Sequence, residues 1–404
     1  MNILNDAYEI VGTDYEKFTE AVKNMAAITK TTKLISGNIT GLSVMDNEEV
    51  STPDTQAFYI LSPENIEGFM EGEKMHYGRV FKSQLGEETL EEMKKTTNLA
   101  FLVDKEKLIV SDLAMATLSA RAGVSGSATF CRQNLIRNMH LIDGLQHAGS
   151  TTTIVYREVD GIKKAFAVMG SQYRYVPQTI VMDIAEEIKS DATMGRWETT
   201  RWSINHQYTE LMGTFPEVAE DFEAVYGIKD KVPGVIIETS DIGCCSITIK
   251  GILKSGASYV ITDEIKCQHT LNVTPAKVIG RIKTELFDKF RKLPETLMHL
   301  IGIPIENDAI EDIIKVTFKK CFPKKFISED RRKRLESMIL MDFNPEISYT
   351  MYDIADKFLS LSEHIVGLNK VSTDEICKLA GKVPYFLESL DLSKEKDEED
   401  FILI

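Results

Sequence analysis

The sequence contains few of the short motifs that identify catalytic or metal sites. It has no Cys-x-x-Cys pair, no His-Glu-x-x-His segment, no Gly-Lys-Ser/Thr phosphate loop and no three-glycine dinucleotide fingerprint. The nucleophile-elbow pattern of serine hydrolases is also absent. We therefore assign no catalytic residue, expect no cofactor and no metal, and favour a binding role over an enzymatic one.

Paired cysteines and long apolar runs are missing as well. The six cysteines show no paired spacing, which predicts reduced thiols rather than a disulfide framework. No window approaches the roughly 18 apolar residues that a membrane span requires. The first ten residues lack the basic and apolar regions of a signal peptide. We therefore expect a cytoplasmic protein without a membrane partner.

The charge is strongly acidic but unevenly distributed. With 47 Lys and Arg against 62 Asp and Glu, the formal net charge is −15, which by itself argues against a general binder of nucleic acid or anionic membranes. Residues 1–100 hold 9 basic and 17 acidic side chains, whereas residues 275–336 hold 15 basic and 10 acidic ones. A basic sector therefore lies within an acidic chain.

Apolar periodicity and turn signals predict an α+β fold with a central mixed or antiparallel sheet, built on hairpins and flanked by helices, and a mainly helical C-terminal region. Residues 195–212 look less regular. A helix that starts near residue 275 should end before Pro294. The predicted divisions are an acidic α/β lead-in (1–97), an α+β core domain (98–305), a helical region (306–390) and an acidic, disordered tail (391–404).

The clearest local prediction is a β-hairpin within residues 151–177. Asp160-Gly161 is a strong signal for a two-residue turn, because such a turn needs positive φ at both positions. Polar residues near the turn, including Arg157 and Lys164, predict a solvated tip, and apolar residues predict a base buried on both faces. The expected cross-strand partners are Val159 with Ile162, Glu158 with Lys163, and Val155 with Phe166.

Several short segments around this hairpin carry a family resemblance. They are SDLA at 111–114, AGV at 122–124, TIVYREVDGIKKAFAV at 153–168 and GSQYRYVP at 170–177, followed by a strand block from 235. Over about residues 98–300 the chain resembles the phage/plasmid-like protein family of unknown function. The resemblance implies a mobile-element origin and a shared core, and it supplies no catalytic residues.

Arginines beside aromatic residues form the first candidate binding site. Single-stranded nucleic acid is bound by aromatic faces that stack on bases and by guanidinium groups that neutralise phosphates. The alternative is that the tryptophans are core residues with arginines packed beside them. The candidate residues are Tyr173, Arg174, Tyr175, Arg196, Trp197, Arg201 and Trp202.

The basic sector forms the second candidate site. If its side chains converge, they form an electrostatic surface for single- or double-stranded nucleic acid. If they do not, they are solvated helix faces or partners of the acidic N-terminal region. The candidate residues are Lys277, Arg281, Lys283, Lys319, Lys320, Lys324, Lys325, Arg331, Arg332, Lys333 and Arg334.

The C-terminal tail is a third candidate, for a protein partner. Acidic residues precede an apolar end, and a basic rim with an apolar pocket would accommodate such a tail. Docking of the tail on its own core explains the same pattern. The tail residues are Asp400, Phe401, Ile402, Leu403 and Ile404.

Three weaker patterns have simpler structural explanations. Residues 123–127 could bind an anion at a helix start, but a helix–helix turn is favoured. Gly170-Ser171 with acids at 183, 186 and 187 suggests a magnesium-dependent nucleotidyltransferase only faintly, because those acids have helical spacing. Cys244-Cys245 should point to opposite faces of a strand as small buried residues.

Three functional hypotheses follow. The first is a phage or mobile-element protein that binds nucleic acid during replication, recombination or host conflict, in the host cytoplasm. The second is a protein that binds a host or phage partner, either as an inhibitor of a defence factor or as a virion-associated assembly component, through its acidic N-terminal residues. The third is a metal-dependent nucleotide enzyme. A homo-oligomer is compatible with each of them.

Overall fold

A computed structural model describes the chain in segments that together include most of its residues. These segments are 3–35, 40–45, 54–61, 79–81, 87–97, 99–103, 106–124, 134–148, 151–190, 195–267, 280–281, 284–285, 287–364 and 370–391.

The described residues form helices of 8 to 19 residues. Their bounds are α1 Tyr15–Ile28, α2 Glu87–Lys94, α3 Met115–Ala122, α4 Asn134–His147, α5 Ile180–Ser190, α6 Pro216–Tyr226, α7 Phe287–Ile301, α8 Ile310–Cys321, α9 Glu329–Met341, α10 Met351–Leu359 and α11 Lys370–Glu388.

The strands belong to two large sheets and one two-stranded ribbon. Their bounds are β1 Glu9–Gly12, β2 Thr29–Ile35, β3 Thr40–Met45, β4 Asp54–Leu61, β5 Arg79–Phe81, β6 Leu99–Val103, β7 Glu106–Val110, β8 Thr151–Val159, β9 Ile162–Met169, β10 Glu198–Asn205, β11 Thr209–Thr214, β12 Lys231–Thr239, β13 Ile247–Ser255, β14 Ser258–Cys267, β15 Pro304–Ile305 and β16 Tyr349–Thr350.

The first large sheet has six antiparallel strands in the order β1-β10-β11-β12-β13-β14. Helices α1 and α5 pack on one face, where Phe18 and Ile184 meet Leu211 and Ile237 in a buried cluster. Helix α11 covers part of the other face through the buried Cys377. Both faces of the middle strands are covered, since every residue of β11 is buried and all but Val232 of β12 are.

The second large sheet has eight strands in the order β2-β8-β9-β7-β6-β4-β3-β5. The pairs β3·β5, β4·β6 and β7·β9 are parallel and the others are antiparallel, so this sheet is mixed. Helices α3 and α4 pack Leu118 and Leu141 against its buried Leu108 and Val168. The two sheets with their flanking helices confirm the α+β prediction.

The N-terminal residues contribute to both large sheets. Strand β1 pairs with β10 at the edge of the first sheet, and β2 pairs with β8 at the edge of the second. Helix α1 connects them and is capped by Asp14, whose carboxylate accepts from the backbone N–H groups of Glu16 and Lys17 at 2.8 and 3.1 Å. The predicted divisions at 97, 305 and 390 stay predictions, and the sheets pair residues from both sides of position 97.

The C-terminal helices α7 to α11 surround an apolar core of their own. The rings of Phe318, Phe322 and Phe358 lie with centroids 4.9 to 5.8 Å apart, and Leu253 and Val260 of the first sheet join the same cluster. These contacts attach the helical region to the first sheet. In the part of the chain that the structure describes, no helix is long and apolar enough to cross a bilayer.

The β8–β9 hairpin confirms the predicted turn and corrects part of the predicted register. Asp160 and Gly161 both have positive φ, of 50° and 82°, and the pairs next to the turn are as expected. The pairing of Val155 with Phe166 is wrong, because a β-bulge shifts the register between Val155 and Tyr156, and Val155 faces Ala167 instead. The bulge leaves Phe166 without a direct cross-strand partner.

The predicted solvated tip is also wrong in part. Arg157 is fully buried and Lys164 is 5% exposed, although both stand within five residues of the turn. Strand β2 covers one edge of the hairpin. His206 and Asp241, which follow strands β10 and β12 of the first sheet, contact the Arg157 side chain. Long-range packing, which local polarity does not report, therefore buries these two cations.

Two other local predictions fail for the same kind of reason. Residues 195–212, predicted as irregular, contain all of β10 and most of β11, which pair with each other and with β1 and β12 on either side. Helix α7 continues through Pro294, although proline removes one hydrogen bond within the helix. The buried Leu293, Leu297 and Leu300 fix this helix on the C-terminal core.

Candidate nucleic-acid interface

The Tyr-Arg-Tyr segment lies where the chain leaves β9. The Tyr173 hydroxyl donates to the backbone carbonyl of Asp241 at 2.6 Å, and burial raises the pKa of both Tyr173 and Tyr175. Arg174 between them is exposed. The two rings are half-buried and pack against the hairpin cluster that contains Val155 and Phe166, so Arg174 is the group of this segment that faces solvent.

Arg196-Trp197 immediately precede β10, and Arg201-Trp202 lie within it. In both pairs the tryptophan is buried and the arginine is exposed. Trp202 is 5% exposed and its indole N–H donates to the backbone carbonyl of Asp14 at 2.8 Å. Trp197 is 9% exposed and stacks edge-on against Phe215. Arg201 points outward. The indole faces are thus occupied by the core, which is the alternative explanation that the sequence left open.

Arg196 is exposed and forms an ion pair with Glu198. In the segment before α7, Arg281 makes a two-point contact with Glu285 at 2.9 and 3.1 Å, which neutralises its charge locally. Lys277 and Lys283 lie outside the described residues, as do Asp400 to Ile404 of the tail. Neither arginine therefore offers an unpaired charge to a polyanion.

The remaining cations are concentrated where α8 ends and α9 begins. Residues 319–334, which we call the basic corner, carry eight basic and two acidic side chains. Only seven residues connect the two helices, so the last turn of α8 and the first turns of α9 lie close together. The basic side chains of the corner are Lys319, Lys320, Lys324, Lys325, Arg331, Arg332, Lys333 and Arg334.

The basic corner is held in place by apolar residues beneath it. Phe318 and Phe322 are buried in the C-terminal core, and Ile327 is 2% exposed. Ser328 caps α9 by accepting a hydrogen bond from the backbone N–H of Arg331 at 3.4 Å. Alternation of these apolar anchors with lysines explains why the cations point outward.

The exposure of the corner cations differs from residue to residue. Arg332 is half-buried and pairs with Glu329 at 2.6 Å and Glu336 at 3.2 Å, which indicates a structural role. Lys333 and Arg334 are exposed, and no carboxylate of the described residues pairs with either. Lys325 is exposed and its ammonium lies 4.6 Å from the ring centroid of Phe326.

Arg331 on α9 lies where a cation is unfavourable for the helix itself. The N-terminus of a helix carries partial positive charge, so cations in the first turn are destabilising there. Helix α8 has Glu311 and Asp312 in its first turn and Lys319 and Lys320 in its last. Helix α9 also begins with two acidic residues, Glu329 and Asp330, but Arg331 follows them within the first turn.

Two buried charge clusters were missed by the sequence analysis. In the first, the intersheet cluster, Arg157 makes a two-point ion pair with Asp241 at 2.9 and 3.0 Å, and its Nη1 lies 2.6 Å from Nδ1 of His206. Since a guanidinium only donates, Nδ1 accepts and Nε2 donates to the Asn5 carbonyl at 2.9 Å. Burial and the neighbouring Arg157 lower the pKa of His206 to about 3. This cluster joins the two sheets and the N-terminal segment.

The second, the sheet–helix cluster, lies under the start of α11. Glu210 and Glu238 are direct cross-strand neighbours, and Lys370 of α11 pairs with both, 2.8 Å from Glu238. Lys250 lies 2.8 Å from Glu238 and 2.7 Å from Asp374. Burial acts to raise the pKa of Glu238, but the two lysines outweigh it and hold the pKa below its ordinary value. The cluster fastens α11 to the sheet.

The adjacent cysteines are not buried strand residues, so that prediction is wrong. Strand β13 begins only at Ile247, and Cys244 is exposed in the loop that precedes it. Ser240 forms this loop by accepting from the backbone N–H groups of Ile242 and Cys244. Burial raises the pKa of the Cys245 thiol to about 12, so it stays protonated at neutral pH.

The magnesium hypothesis gains no support from the geometry. Glu186 of α5 forms an ion pair with Lys189 at 3.0 Å, and hydrogen bonding from Tyr15 lowers the pKa of Glu186. Within the described segments, no three His, Cys, Asp or Glu side chains are close enough to hold a metal ion. The Glu186 carboxylate is therefore engaged by Lys189 and Tyr15.

Comparisons with known proteins leave the function to be argued from this chain's own residues. No protein-family model, curated protein or solved structure matches the chain. The resemblance to the phage/plasmid-like family stays a prediction.

Proposed function

We propose that the chain is a cytoplasmic nucleic-acid-binding protein of a phage or mobile element, and that its basic corner contacts the phosphate backbone. The single observation that carries this proposal is the charge of residues 319–334, a net of +6 within a chain of −15. Clustered cations on one surface are the electrostatic footprint of such proteins.

Phosphate contacts rather than base stacking explain the arrangement best. Both tryptophans are buried, and the hydroxyl of Tyr173 is engaged with the backbone. Stacking on single strands requires exposed aromatic faces. Duplex DNA has a higher density of negative charge than a single strand, with one charge per about 1.7 Å of its axis. We therefore expect double-stranded nucleic acid to bind more tightly than single-stranded nucleic acid of the same length.

The acidic remainder of the chain orients the approach. Residues outside the basic corner carry a net charge of −21, so a polyanion is repelled from most of the molecule and attracted at the corner. This uneven charge favours binding of the nucleic acid at one face of the protein over binding all over its surface. Affinity should then be modest and should fall steeply as salt is added.

The test is a salt titration of binding to a fluorescent DNA duplex and to its single strand. We compare the wild type with Lys333→Glu/Arg334→Glu. The plot of log affinity against log salt should become less steep by about two when two phosphate contacts are removed. The duplex should bind more tightly than the single strand.

The matched control is Lys229→Glu/Lys382→Glu, which makes the same charge change at two exposed lysines outside the basic corner. It should retain most of the wild-type affinity and salt dependence. If the folded wild type binds neither DNA at low salt, or if both variants lose affinity equally, the proposed interface is wrong.

A further inference from the structure

The N-terminal part of the chain contains a groove that the proposed nucleic-acid interface does not use. A cavity of about 530 Å³ lies between strand β1 and helix α1, and we call it the edge groove. This volume lies within the range of small-ligand and peptide sites, about 300–1,000 Å³. The edge groove is lined by Ile3, Tyr8, Ile10, Val11, Gly12, Thr13, Asp14, Lys17, Glu20, Ala21, Asn24 and Trp202.

Strand β1 forms an open side of the first sheet. It pairs with β10 on one side only, and among the described residues no strand pairs with its outer side. Val11 is 62% exposed on this strand. Natural sheets protect their edges with lysine, proline or covering elements, and β1 has neither of those residue types. The backbone groups of its outer side are thus available to another strand.

The floor of the edge groove depends on a glycine. A Cβ atom at Gly12 would lie 2.4 Å from Cζ2 of Trp202, so no other residue fits there without displacing the indole. The indole N–H is bound to the carbonyl of Asp14, which fixes the ring at the junction of β1 and α1. Tyr8 and Ile10 extend this apolar surface along the strand. Gly12 and the Asp14 carbonyl therefore fix the position of the indole, which gives the edge groove an apolar floor.

We propose that the edge groove binds an extended, basic peptide segment of a partner protein by adding it as a strand to β1. A groove between an edge strand and a helix is the geometry in which peptides add to sheets, with backbone hydrogen bonds supplying affinity and alternate side chains supplying specificity. One set of the peptide's side chains packs on Ile10 and Trp202, on the side of β1 where α1 and its Glu20 lie. The other set lies beside the exposed Glu9 and Val11, which point to the opposite side of β1.

The charges around the edge groove select this occupant. Glu9 lies on the edge strand and Glu20 on the wall formed by α1, and both are exposed with no cation of the described residues paired to either. The carboxylate of Asp14 is already used as the helix cap, and Lys17 is the one basic lining residue. A second copy of β1 brings another exposed glutamate and no basic residue, whereas a basic partner strand supplies the opposite charge.

The proposal is tested with capped, fluorescent hexapeptides and fluorescence anisotropy. The first probe alternates valine and lysine, the second alternates valine and glutamate, and the third alternates threonine and serine. We expect saturable binding of the valine–lysine probe alone. Val11→Lys should weaken this binding about tenfold, since it places a cation beside the lysines of the probe and removes the burial of one valine side chain. Glu20→Lys should weaken it through charge.

Two controls separate strand addition from non-specific attraction. Val225→Lys alters a valine of α6 that is 65% exposed, and it should leave the affinity unchanged. Methylation of every second peptide nitrogen should abolish binding when the methylated set faces β1 and should leave it intact when the other set is methylated. Only strand addition predicts that difference.

Three outcomes would overturn the proposal. The first is failure of the wild type to bind the valine–lysine probe up to about 1 mM, a weak affinity by any standard. The second is equal binding of the lysine and glutamate probes, or binding that Val11→Lys does not change. The third is a dimer in light scattering that Val11→Lys dissociates, which would assign the edge to a second copy.

Discussion

Arginine has opposite roles in the intersheet cluster and in the basic corner. Arg157 is fully buried, with Asp241, His206 and Thr29 as hydrogen-bond partners. Arg334 is exposed on α9 without a carboxylate partner in the described part of the chain. The first arginine holds two sheets together, and the second is free to meet a polyanion from solution.

The surroundings of a cation, rather than its residue type, decide what it does. A buried guanidinium must have its charge and its N–H groups satisfied, because the cost of removing it from water is large. An exposed guanidinium bears no such cost and contributes little to stability. Substitutions at the two places should therefore change different properties of the molecule, and three experiments sharpen that contrast.

Arg157→Met should produce the largest effect. It leaves the carboxylate of Asp241 buried without its cation, and breaking a buried ion pair from one side lowers the free energy of unfolding by about 3–5 kcal/mol. The measurement is urea unfolding followed by circular dichroism. Arg334→Met is the matched control, and it should change the free energy of unfolding by less than about 0.5 kcal/mol.

The double variant Arg157→Met/Asp241→Leu adds a second check of the first prediction. Removing both charges removes the unpaired carboxylate, so the double variant should be more stable than Arg157→Met alone. If Arg157→Met is as stable as Arg334→Met, the intersheet cluster does not hold the sheets together.

His206 should give a smaller effect that depends on pH. Its pKa is lowered to about 3 in the folded protein and is about 6.5 when unfolded, so only the unfolded state gains this proton as the pH falls below about 6.5. The stability associated with neutral His206 is complete above that pH. It is lost at up to about 1.4 kcal/mol per pH unit between pH 6.5 and 3.

The measurement compares urea unfolding of the wild type and His206→Gln at pH 7.5 and pH 5.0. The wild type should lose about 2 kcal/mol more than the variant over this interval, since glutamine does not titrate. Parallel losses in the two proteins would contradict the assignment of a neutral, buried imidazole. Carboxylates that titrate in the same range affect both proteins equally and cancel in the difference.

Local patterns predicted most of the fold, because they depend on neighbours in sequence. The Asp160-Gly161 turn and the helical C-terminal region follow from turn chemistry and apolar periodicity. The bulge beside Val155 and the strands β10 and β11 do not, since they are set by pairing with distant strands. The same limit explains why helix α7 runs through Pro294.

The sites were harder to predict, because burial is a property of the whole fold. Arg157 is polar and stands near a turn, which suggested exposure, but its side chain is fully buried. Trp197 and Trp202 suggested a surface for base stacking, but both are core residues. A signal for the sheet–helix cluster did exist in the sequence. Glu238 and Lys250 are charged residues within otherwise apolar strands, which is the pattern of a buried ion pair.

The smallest expected effect is the change in the free energy of unfolding on substitution of Arg331. Whether that change is a gain or a loss of stability is the informative result. Arg331 occupies the third position of α9 after the cap Ser328, where glutamate would complete a capping box and favour the helix dipole. Arg331→Glu should therefore raise the free energy of unfolding by about 0.3–1 kcal/mol while it weakens binding of duplex DNA.

Arg331→Gln separates the two contributions, because it retains the capping geometry without reversing the charge. A gain in stability joined to a loss of binding would mean that the corner keeps its arginine for the nucleic acid, at a cost to its own helix. Destabilisation by Arg331→Glu would instead assign this side chain to the fold, beside Arg157.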